Sequence, residues 1–287
     1  MPECALGLID SHCHLDAYDT QAEQDAVIDR AMAAGVVGAL IPGWHRNHVA
    51  EQGRLIERQV HRLDGQFQLV AAAGIHPVYV GEHEEADLVS LEQRLMCTSR
   101  DLLVAVGEIG LDRYLEQFRE PLYWARQQYF FREQLKLAVR YERPVLVHVR
   151  HCYPELVRML EQQRPPQGVI VHAFNGREHD AAALLAMGCK LGIGGLVLQP
   201  SAHRLRALIQ SMPADGWVLE TDAPDMLSIS ARQQGYQRNE PALLVATAYE
   251  VAGLLGWELA EVAEQNRRNI QTVLHWPPET NSLKSAR

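Results

Sequence analysis

The sequence has few cysteines and no long apolar run, and each absence excludes a class of protein. Five cysteines are scattered among 287 residues without CxxC spacing, which disfavours a disulfide framework or a zinc ribbon and favours reduced thiols. No apolar run approaches the roughly 18 residues that a membrane-spanning helix needs. The opening segment, MPECALGLIDSHCH, lacks the basic region of a signal peptide. We therefore expect a cytoplasmic protein that does not associate with membranes.

Positive charge is also in short supply. Lysine and arginine number 27 against 36 acidic residues, which gives a net charge of −9. A broad basic face for nucleic acid is excluded, because that binding mode neutralises many phosphates with Lys and Arg. The chain holds 13 histidines but only 5 phenylalanines, and this excess of imidazole directs attention to metal ions as the source of positive charge.

The chain alternates apolar, strand-like runs with helix-like stretches. Eight such runs begin near Leu6, Val36, Leu69, Leu103, Pro144, Val169, Lys190 and Trp217. Their mean spacing of about 30 residues is that of one βα unit, and continuous apolar runs are typical of parallel strands buried on both faces. We predict a single α/β domain over residues 1–276, a (β/α)8 TIM barrel, with 277–287 as a frayed tail. A doubly wound sheet is the alternative, but its usual glycine-rich loop is replaced here by DSHCH.

Ionisable side chains follow the ends of six of the predicted strands. They are Asp10, His12, His14, His76, Glu108, Asp112, His148, Arg150, His172, Glu220 and Asp222. Burying so many polar groups is costly without compensation, and imidazole with carboxylate but no thiolate suits Zn²⁺, Mn²⁺ or Mg²⁺. The number of candidate ligands exceeds the needs of one tetrahedral ion, so we expect two ions that share a carboxylate.

A single histidine is more often an ordinary core or surface residue than a metal ligand. We prefer that simpler interpretation for several positions. In an extended strand Asp10, His12 and His14 would share one face, with Cys13 packing on the other. We expect His76 to support the pocket rather than bind metal, and Glu220 to pair with a nearby histidine. Six other histidines lie in predicted helices or loops and are expected to be solvated: His45, His48, His61, His83, His179 and His203.

Six motifs together resemble the TatD family of metal-dependent deoxyribonucleases, which belongs to the amidohydrolase-like barrels. They are DSHCHLD, AGIHP, VGEIGLD, VLVHVR, VHAFNG and LETDAPD, in that order, and the likeness runs from about Leu8 to Asn269. The resemblance implies a TIM barrel with two divalent ions and a phosphodiesterase activity on DNA, often exonucleolytic. By position, His12 and His14 would bind the first ion, His148 and His172 the second, and Glu108 both, while Asp222 would bind the first ion beside the attacking water.

A binuclear hydrolase of phosphodiesters is therefore the expected function, with Asp222 and Glu108 as the catalytic residues and single-stranded DNA ends as substrate. Arg150 is a candidate phosphate clamp because its planar guanidinium suits phosphate, and Arg113 and Tyr114 are candidate contacts to the substrate. The family commonly differs at Arg113, at His151 and Cys152, and at Asn175, and these departures bear on substrate preference. No obligate protein partner is indicated.

Two other functions stay open. One is a metal-dependent amidase, esterase or deacylase that acts on a small metabolite. Several related barrels with such activities bridge their ions with a carboxylated lysine on the fourth strand, where this chain has Glu108, and this disfavours them. The other is a barrel that binds metal or nucleotide without turnover, and the complete ligand set with Asp222 argues against it.

Overall fold

The computed structural model describes residues 6–276, and the predicted frayed tail lies outside them. The strands are β1 Leu8–Asp10, β2 Val36–Ile41, β3 Gln68–Ala73, β4 Leu103–Asp112, β5 Val145–Arg150, β6 Val169–Val171, β7 Lys190–Ile193 and β8 Trp217–Leu219. The helices are α1 Gln21–Ala33, α2 Val49–Leu63, α3 Glu85–Cys97, α4 Pro121–Arg140, α5 Tyr153–Gln162, α6 Glu178–Ala186, α7 His203–Ser211, α8 Ile229–Gln233, α9 Leu244–Leu255 and α10 Leu259–Leu274.

All strand neighbours are parallel and follow chain order from β1 to β8. The predicted TIM barrel is thereby confirmed, with each of the eight apolar runs forming one strand. Nearly every strand residue is buried, as continuous apolar runs between two packed layers require. Parallel strands end on the same side of the sheet, so the side chains that follow them meet at one end of the barrel.

Helix ends follow local sequence signals. Helix α1 begins after Thr20, whose hydroxyl accepts the N–H of Glu23 at 3.1 Å, as expected of an N-cap. Helix α4 begins at Pro121, a favoured first position because proline has no N–H to satisfy. Among residues 6–276 no single helix has the length and hydropathy to cross a bilayer; α10 and the segment Pro241–Leu255 meet the test only jointly, across a bend of 107°.

The seam between β1 and β8 is closed by a side chain of α10. Asn266 is fully buried, and its Nδ2 donates to the Ile9 carbonyl while its Oδ1 accepts the Leu219 N–H, both at 2.8 Å. Beside it the Ser11 N–H donates to the Leu219 carbonyl at 3.0 Å. One amide therefore satisfies backbone groups of the first and the last strand, which are the two ends of the sheet.

Replacing Asn266 with alanine should destabilise the barrel. Two buried backbone groups would lose their partners, at about 1–3 kcal/mol each, so we expect Asn266→Ala to lower the free energy of unfolding by about 3 kcal/mol. Urea denaturation followed by circular dichroism measures the change. Arg268→Ala on the exposed face of α10 removes only a surface ion pair with Glu264 and should cost less than about 0.5 kcal/mol. Equal losses in the two variants would contradict this role for Asn266.

Candidate metal centre

The structure brings six predicted ligands together at the carboxyl end of the barrel. His12 lies at the centre of one group: its Nε2 is 3.2 Å from His14 Nε2 and 3.4 Å from Asp222 Oδ1. The same nitrogen lies 3.3 Å from Glu108 Oε2. On the other side of Glu108, His148 Nδ1 lies 3.0 Å from its Oε1. His172 completes the set, with its ring stacked on that of His12 at a centroid distance of 3.6 Å.

Glu108 is the carboxylate around which these histidines are arranged. Its side chain comes from β4, the longest strand, and the residue is only 3 % exposed. Its N–H donates to the Gly43 carbonyl at 2.5 Å, which ties β4 to the segment after β2. The segment after β3 approaches just as closely, since a Cβ at Gly74 would lie 2.7 Å from the carbonyl carbon of Gly107. Only glycine at position 74 permits this approach.

Two carboxylates that are not candidate ligands orient two of the histidines. Asp112 Oδ2 lies 2.9 Å from His148 Nε2, and Glu220 Oε1 lies 2.9 Å from His172 Nδ1. In each case the opposite ring nitrogen faces the cluster. A carboxylate on the outer nitrogen fixes the ring orientation and raises the basicity of the inner nitrogen. The expected pairing of Glu220 with a nearby histidine is confirmed.

The ligand atoms form three overlapping groups, each with mutual distances within 4.8 Å. The groups are His12, His14 and Asp222; His12, Glu108 and His172; and His76, Glu108 and His148. Glu108 belongs to two of them, as a shared ligand should. His148 and His172 fall in different groups, with ring centroids 6.4 Å apart, so the geometry does not by itself gather them around one ion. Imidazole nitrogens and carboxylate oxygens suit a divalent ion, and the residues present therefore fit metal binding.

His76 joins the third group, but its hydrogen bonds favour a different role. Its Nδ1 accepts the Val78 N–H at 3.2 Å, so the neutral ring carries its proton on Nε2. That Nε2 lies 3.3 Å from Glu108 Oε1 and is a donor rather than a ligand in this tautomer. Burial lowers the pKa of His76, and the neighbouring Glu108 opposes this shift.

The charges of the cluster balance one another. Burial lowers the pKa of His14 to about 3, so this ring offers a lone pair to an ion. Burial opposes ionisation of Glu108, but the surrounding histidines, His76 and His12 foremost, hold its pKa well below the usual range. Burial also disfavours charge on His172, yet Glu220 and Asp222 raise its pKa to about 10. A bound ion would displace this proton and take over its charge.

Local backbone structure aims Asp222 at the cluster. The residue follows β8 and adopts a left-handed conformation with φ of 59°, which Asp tolerates better than bulky residues do. Its N–H donates to the His12 carbonyl at 2.9 Å, so the segment after β8 is fastened to the segment after β1. Burial raises the pKa of Asp222.

A cavity of about 1110 Å³ opens above the cluster. Arg150 lies on its wall, and its Cζ sits 3.4 Å from the ring centroid of Tyr114, which does not itself line the cavity. Arg113 is directed elsewhere, with its guanidinium 4.9 Å from the ring centroid of Trp124. Two further arginines that sequence reasoning missed, Arg177 and Arg204, also line the cavity. Both lie near the start of a helix. Their sequence context is the same as that of an ordinary solvated arginine on a helix, so it gave no signal of a role in the cavity.

Two expectations about side-chain placement were wrong. Asp10 was expected to point the same way as His12 and His14, but β1 ends at Asp10 and Asp10 joins none of the candidate ligand groups. Its carboxylate instead accepts the Thr221 hydroxyl at 2.6 Å and the Thr221 N–H at 3.0 Å. His45 and His83 are buried rather than solvated. Cys13 is buried in the core, as predicted.

The barrel and its cluster of histidines and carboxylates define a class of protein, the metal-dependent hydrolases built on a TIM barrel. A family model described as "TatD related DNase" matches residues 9–275. The chain belongs to the TatD family.

Individual relatives agree with this membership. The chain is 33 % identical over 266 residues to the "uncharacterized metal-dependent hydrolase YjjV" of Escherichia coli K12, covering 92 % of this chain and 98 % of that protein. The "3'-5' ssDNA/RNA exonuclease TatD" of Pantoea vagans is 32 % identical over 271 residues, with 93 % and 98 % covered. The crystal structure of E. coli YjjV superposes with a TM-score of 0.83 at 31 % identity, over 96 % of this chain and all of that one. The chain is thus a metal-dependent hydrolase, which argues against the non-catalytic barrel.

Asp112 should contribute to metal affinity without touching the ion. Asp112→Asn keeps the shape of the side chain but removes the negative charge that orients His148, so we expect affinity for divalent metal to fall about 10- to 100-fold. Competition with a chromogenic chelator measures the affinity. Glu116→Gln, which neutralises an exposed carboxylate nearby, is the matched control and should leave it unchanged. Unaltered affinity in Asp112→Asn would show that His148 needs no such support.

Proposed function

We propose that this chain is a deoxyribonuclease that depends on two divalent ions (Zn²⁺, Mg²⁺ or Mn²⁺) and cleaves phosphodiester bonds at single-stranded DNA ends, exonucleolytically. The observation that carries the proposal is the position of Glu108, whose two oxygens face different histidines. His12, His14 and Asp222 would hold one ion, His148 and His172 the other, and Glu108 both. The free thiols of the described cysteines are consistent with the cytoplasmic location that we also propose.

Asp222 is the residue best placed to take a proton from the attacking water. Two ions, when bound, would polarise a phosphoryl oxygen and lower the pKa of water. The Asp222 carboxylate lines the cavity beside His14. Because burial raises its pKa, it accepts a proton more readily than an exposed carboxylate does. Glu108 stays ionised among its histidines and serves as an anchor rather than a base.

Side chains above the cluster supply donors for phosphate oxygens. His76 carries its proton on Nε2 and lines the cavity, so it can donate to a phosphate oxygen once the centre is filled. Arg150 offers a fixed charge, since its stacking on Tyr114 holds the guanidinium in place. Local cations thus offset the net charge of −9, and a short single strand suits such a limited positive region better than a duplex does.

The substrate class draws its support from relatives as well. The Pantoea vagans protein is named an exonuclease of single-stranded DNA and RNA, and it shares about a third of its residues with this chain. The alternative function, hydrolysis of a small amide or ester, is suggested by two residues that differ from those common in the family. These residues, His151 and Asn175, line the cavity. An end-labelled oligonucleotide, incubated separately with Mg²⁺, Mn²⁺ and Zn²⁺ beside acyl and amide substrates, decides between them. A ladder from one end supports the nuclease; rapid amide or ester turnover without any DNA cleavage would overturn it.

Asp222→Asn separates proton transfer from metal binding. The amide keeps one oxygen for a metal but no longer accepts a proton, so we expect turnover of DNA to fall by about 10²–10⁴ while most metal remains bound. Glu108→Ala should lose metal together with activity. Asp225→Asn, which lines the same cavity without joining a ligand group, is the matched control. Near-normal turnover in Asp222→Asn would assign the base to another residue.

Arg150→Ala tests the phosphate clamp. Loss of a charged hydrogen bond costs about 1.5–3 kcal/mol, so kcat/KM on a short single strand should fall by roughly 10- to 100-fold with little change in metal content. Arg113→Ala is the matched control, because its guanidinium packs on Trp124 rather than in the cavity, and it should stay within about twofold. A larger loss in Arg113→Ala than in Arg150→Ala would reverse the assignment and restore the substrate role first expected of Arg113.

A further inference from the structure

A second cavity of about 500 Å³ lies behind the ends of β2 and β3, between helices α2 and α3. Gly43 and Ile75 form the wall on the side of the metal centre, whereas their chain neighbours Trp44 and His76 line the first cavity. The exposed residues Arg46 and Asn47 stand at its edge. The second cavity thus opens to solvent and is separated from the metal centre by two backbone segments.

A buried carboxylate without partners lies in this cavity. Asp16 is 5 % exposed and lines the cavity, and neither of its oxygens accepts a hydrogen bond from any of residues 6–276. Burial raises the pKa of this carboxyl to about 7. Burial of a carboxylate in this state is costly. A ligand that offers two adjacent N–H groups would satisfy both oxygens at once.

A guanidinium lines the same cavity and is held in position from behind. Arg94 donates one N–H to the side-chain oxygen of Gln52. The amide nitrogen of Gln52 in turn donates to the Ile41 carbonyl at 2.8 Å and to the Ala72 carbonyl at 3.1 Å. The barrel backbone therefore fixes Gln52, and Gln52 fixes Arg94. A guanidinium has five N–H donors, so most of those of Arg94 are left for an acceptor in the cavity.

Asp16 and Arg94 are the two groups from which we infer the ligand, although Nε2 of His45 and Nε2 of His83 on the same wall also lack a hydrogen-bond partner within residues 6–276. A carboxylate pairs with two neighbouring N–H groups, and a guanidinium pairs with two neighbouring acceptors, as Arg does with O6 and N7 of guanine. The Watson–Crick edges of adenine and cytosine set a donor beside an acceptor and so match a carboxylate poorly. A free guanidinium compound offers donors only and would be repelled by Arg94. Guanine carries both required pairs on one ring system, and so does a pterin.

We propose that this second cavity binds a 2-amino-4-oxopyrimidine ring, as found in guanine and in pterins, with its N–H pair on Asp16 and its carbonyl side towards Arg94. Val49, Ile75 and Leu91 supply apolar surface for the ring, and the volume lies within the usual range for small-molecule sites, about 300–1000 Å³. The proposal does not depend on the nuclease activity, because the site shares no ligand residue with the metal centre.

Binding of nucleosides without phosphate tests the site, since they lack the group that the metal centre is proposed to hold. Isothermal titration of the full-length protein should show one saturable site for guanosine or for a simple pterin, and the tighter of the two identifies the source of the ring. Inosine lacks the 2-amino group and should bind at least about 10-fold more weakly, and adenosine should not bind. The proposal would be overturned if neither guanosine nor the pterin bound, as expected of a cavity that holds only water. It would also be overturned if inosine bound as tightly as guanosine.

Variants locate the binding within the molecule. Asp16→Asn replaces one acceptor with a donor and should abolish guanosine binding, while circular dichroism confirms folding. Ser90 lines the same cavity, but its hydroxyl already donates to the Ala86 carbonyl at 3.1 Å. Guanosine binding should therefore persist in Ser90→Ala. Asp222→Asn should also retain it. Should Asp16→Asn fail to fold, Arg94→Gln serves in its place, with an expected loss of at least about 10-fold. Normal binding in the cavity variants, or its loss in Asp222→Asn, would refute the assignment.

Discussion

A carboxylate buried at the carboxyl end of the barrel is the feature on which the rest of the site depends. Glu108 stays ionised only because histidines surround it, and their nearest nitrogens lie 3.0–3.7 Å from its oxygens. The backbone serves the same end, since Gly43 accepts its N–H and Gly74 allows β3 to approach β4. Asp112 and Glu220 then hold two of the rings. Charge, packing and backbone geometry therefore converge on one side chain.

Much of this arrangement could be predicted from sequence, because each strand of a parallel barrel is a continuous apolar run and its polar residues follow at the same end. That rule predicts that His12, Glu108, His148 and His172 lie together, as they do. The alternation of side chains between two faces, by contrast, does not extend beyond the last residue of a strand. Asp10 was expected beside His12, but alternation holds only while the backbone stays extended, and β1 ends at Asp10. The direction of a side chain after that point is set by tertiary contacts.

The candidate substrate contacts show the same limit of prediction from sequence. Arg113 and Arg150 had equal claims as substrate contacts, yet one packs on Trp124 and the other lies on the cavity wall. The register of β4 with β5 sets Asp112 opposite Arg150, whereas Arg113 follows the end of β4 and its direction is set by its contact with Trp124. Arg177 and Arg204 were missed because their helices, remote in sequence, begin at the same rim. Sequence patterns thus predict which side chains gather at the strand ends better than they predict contacts from loops.

The two cavities differ in how their buried carboxylates are satisfied. In the candidate metal centre each of the carboxylates Glu108, Asp222 and Glu220 has an oxygen within 3.4 Å of a histidine nitrogen. Behind β2 and β3, loops that were expected to be solvated pack together, with the rings of His45 and His83 at a centroid distance of 4.6 Å. They enclose Asp16, whose oxygens accept no hydrogen bond within the described part of the chain. A buried carboxylate among histidines has donors beside it, whereas the Asp16 carboxylate shares its cavity with Arg94 but accepts no hydrogen bond within residues 6–276, and burial without a donor is costly.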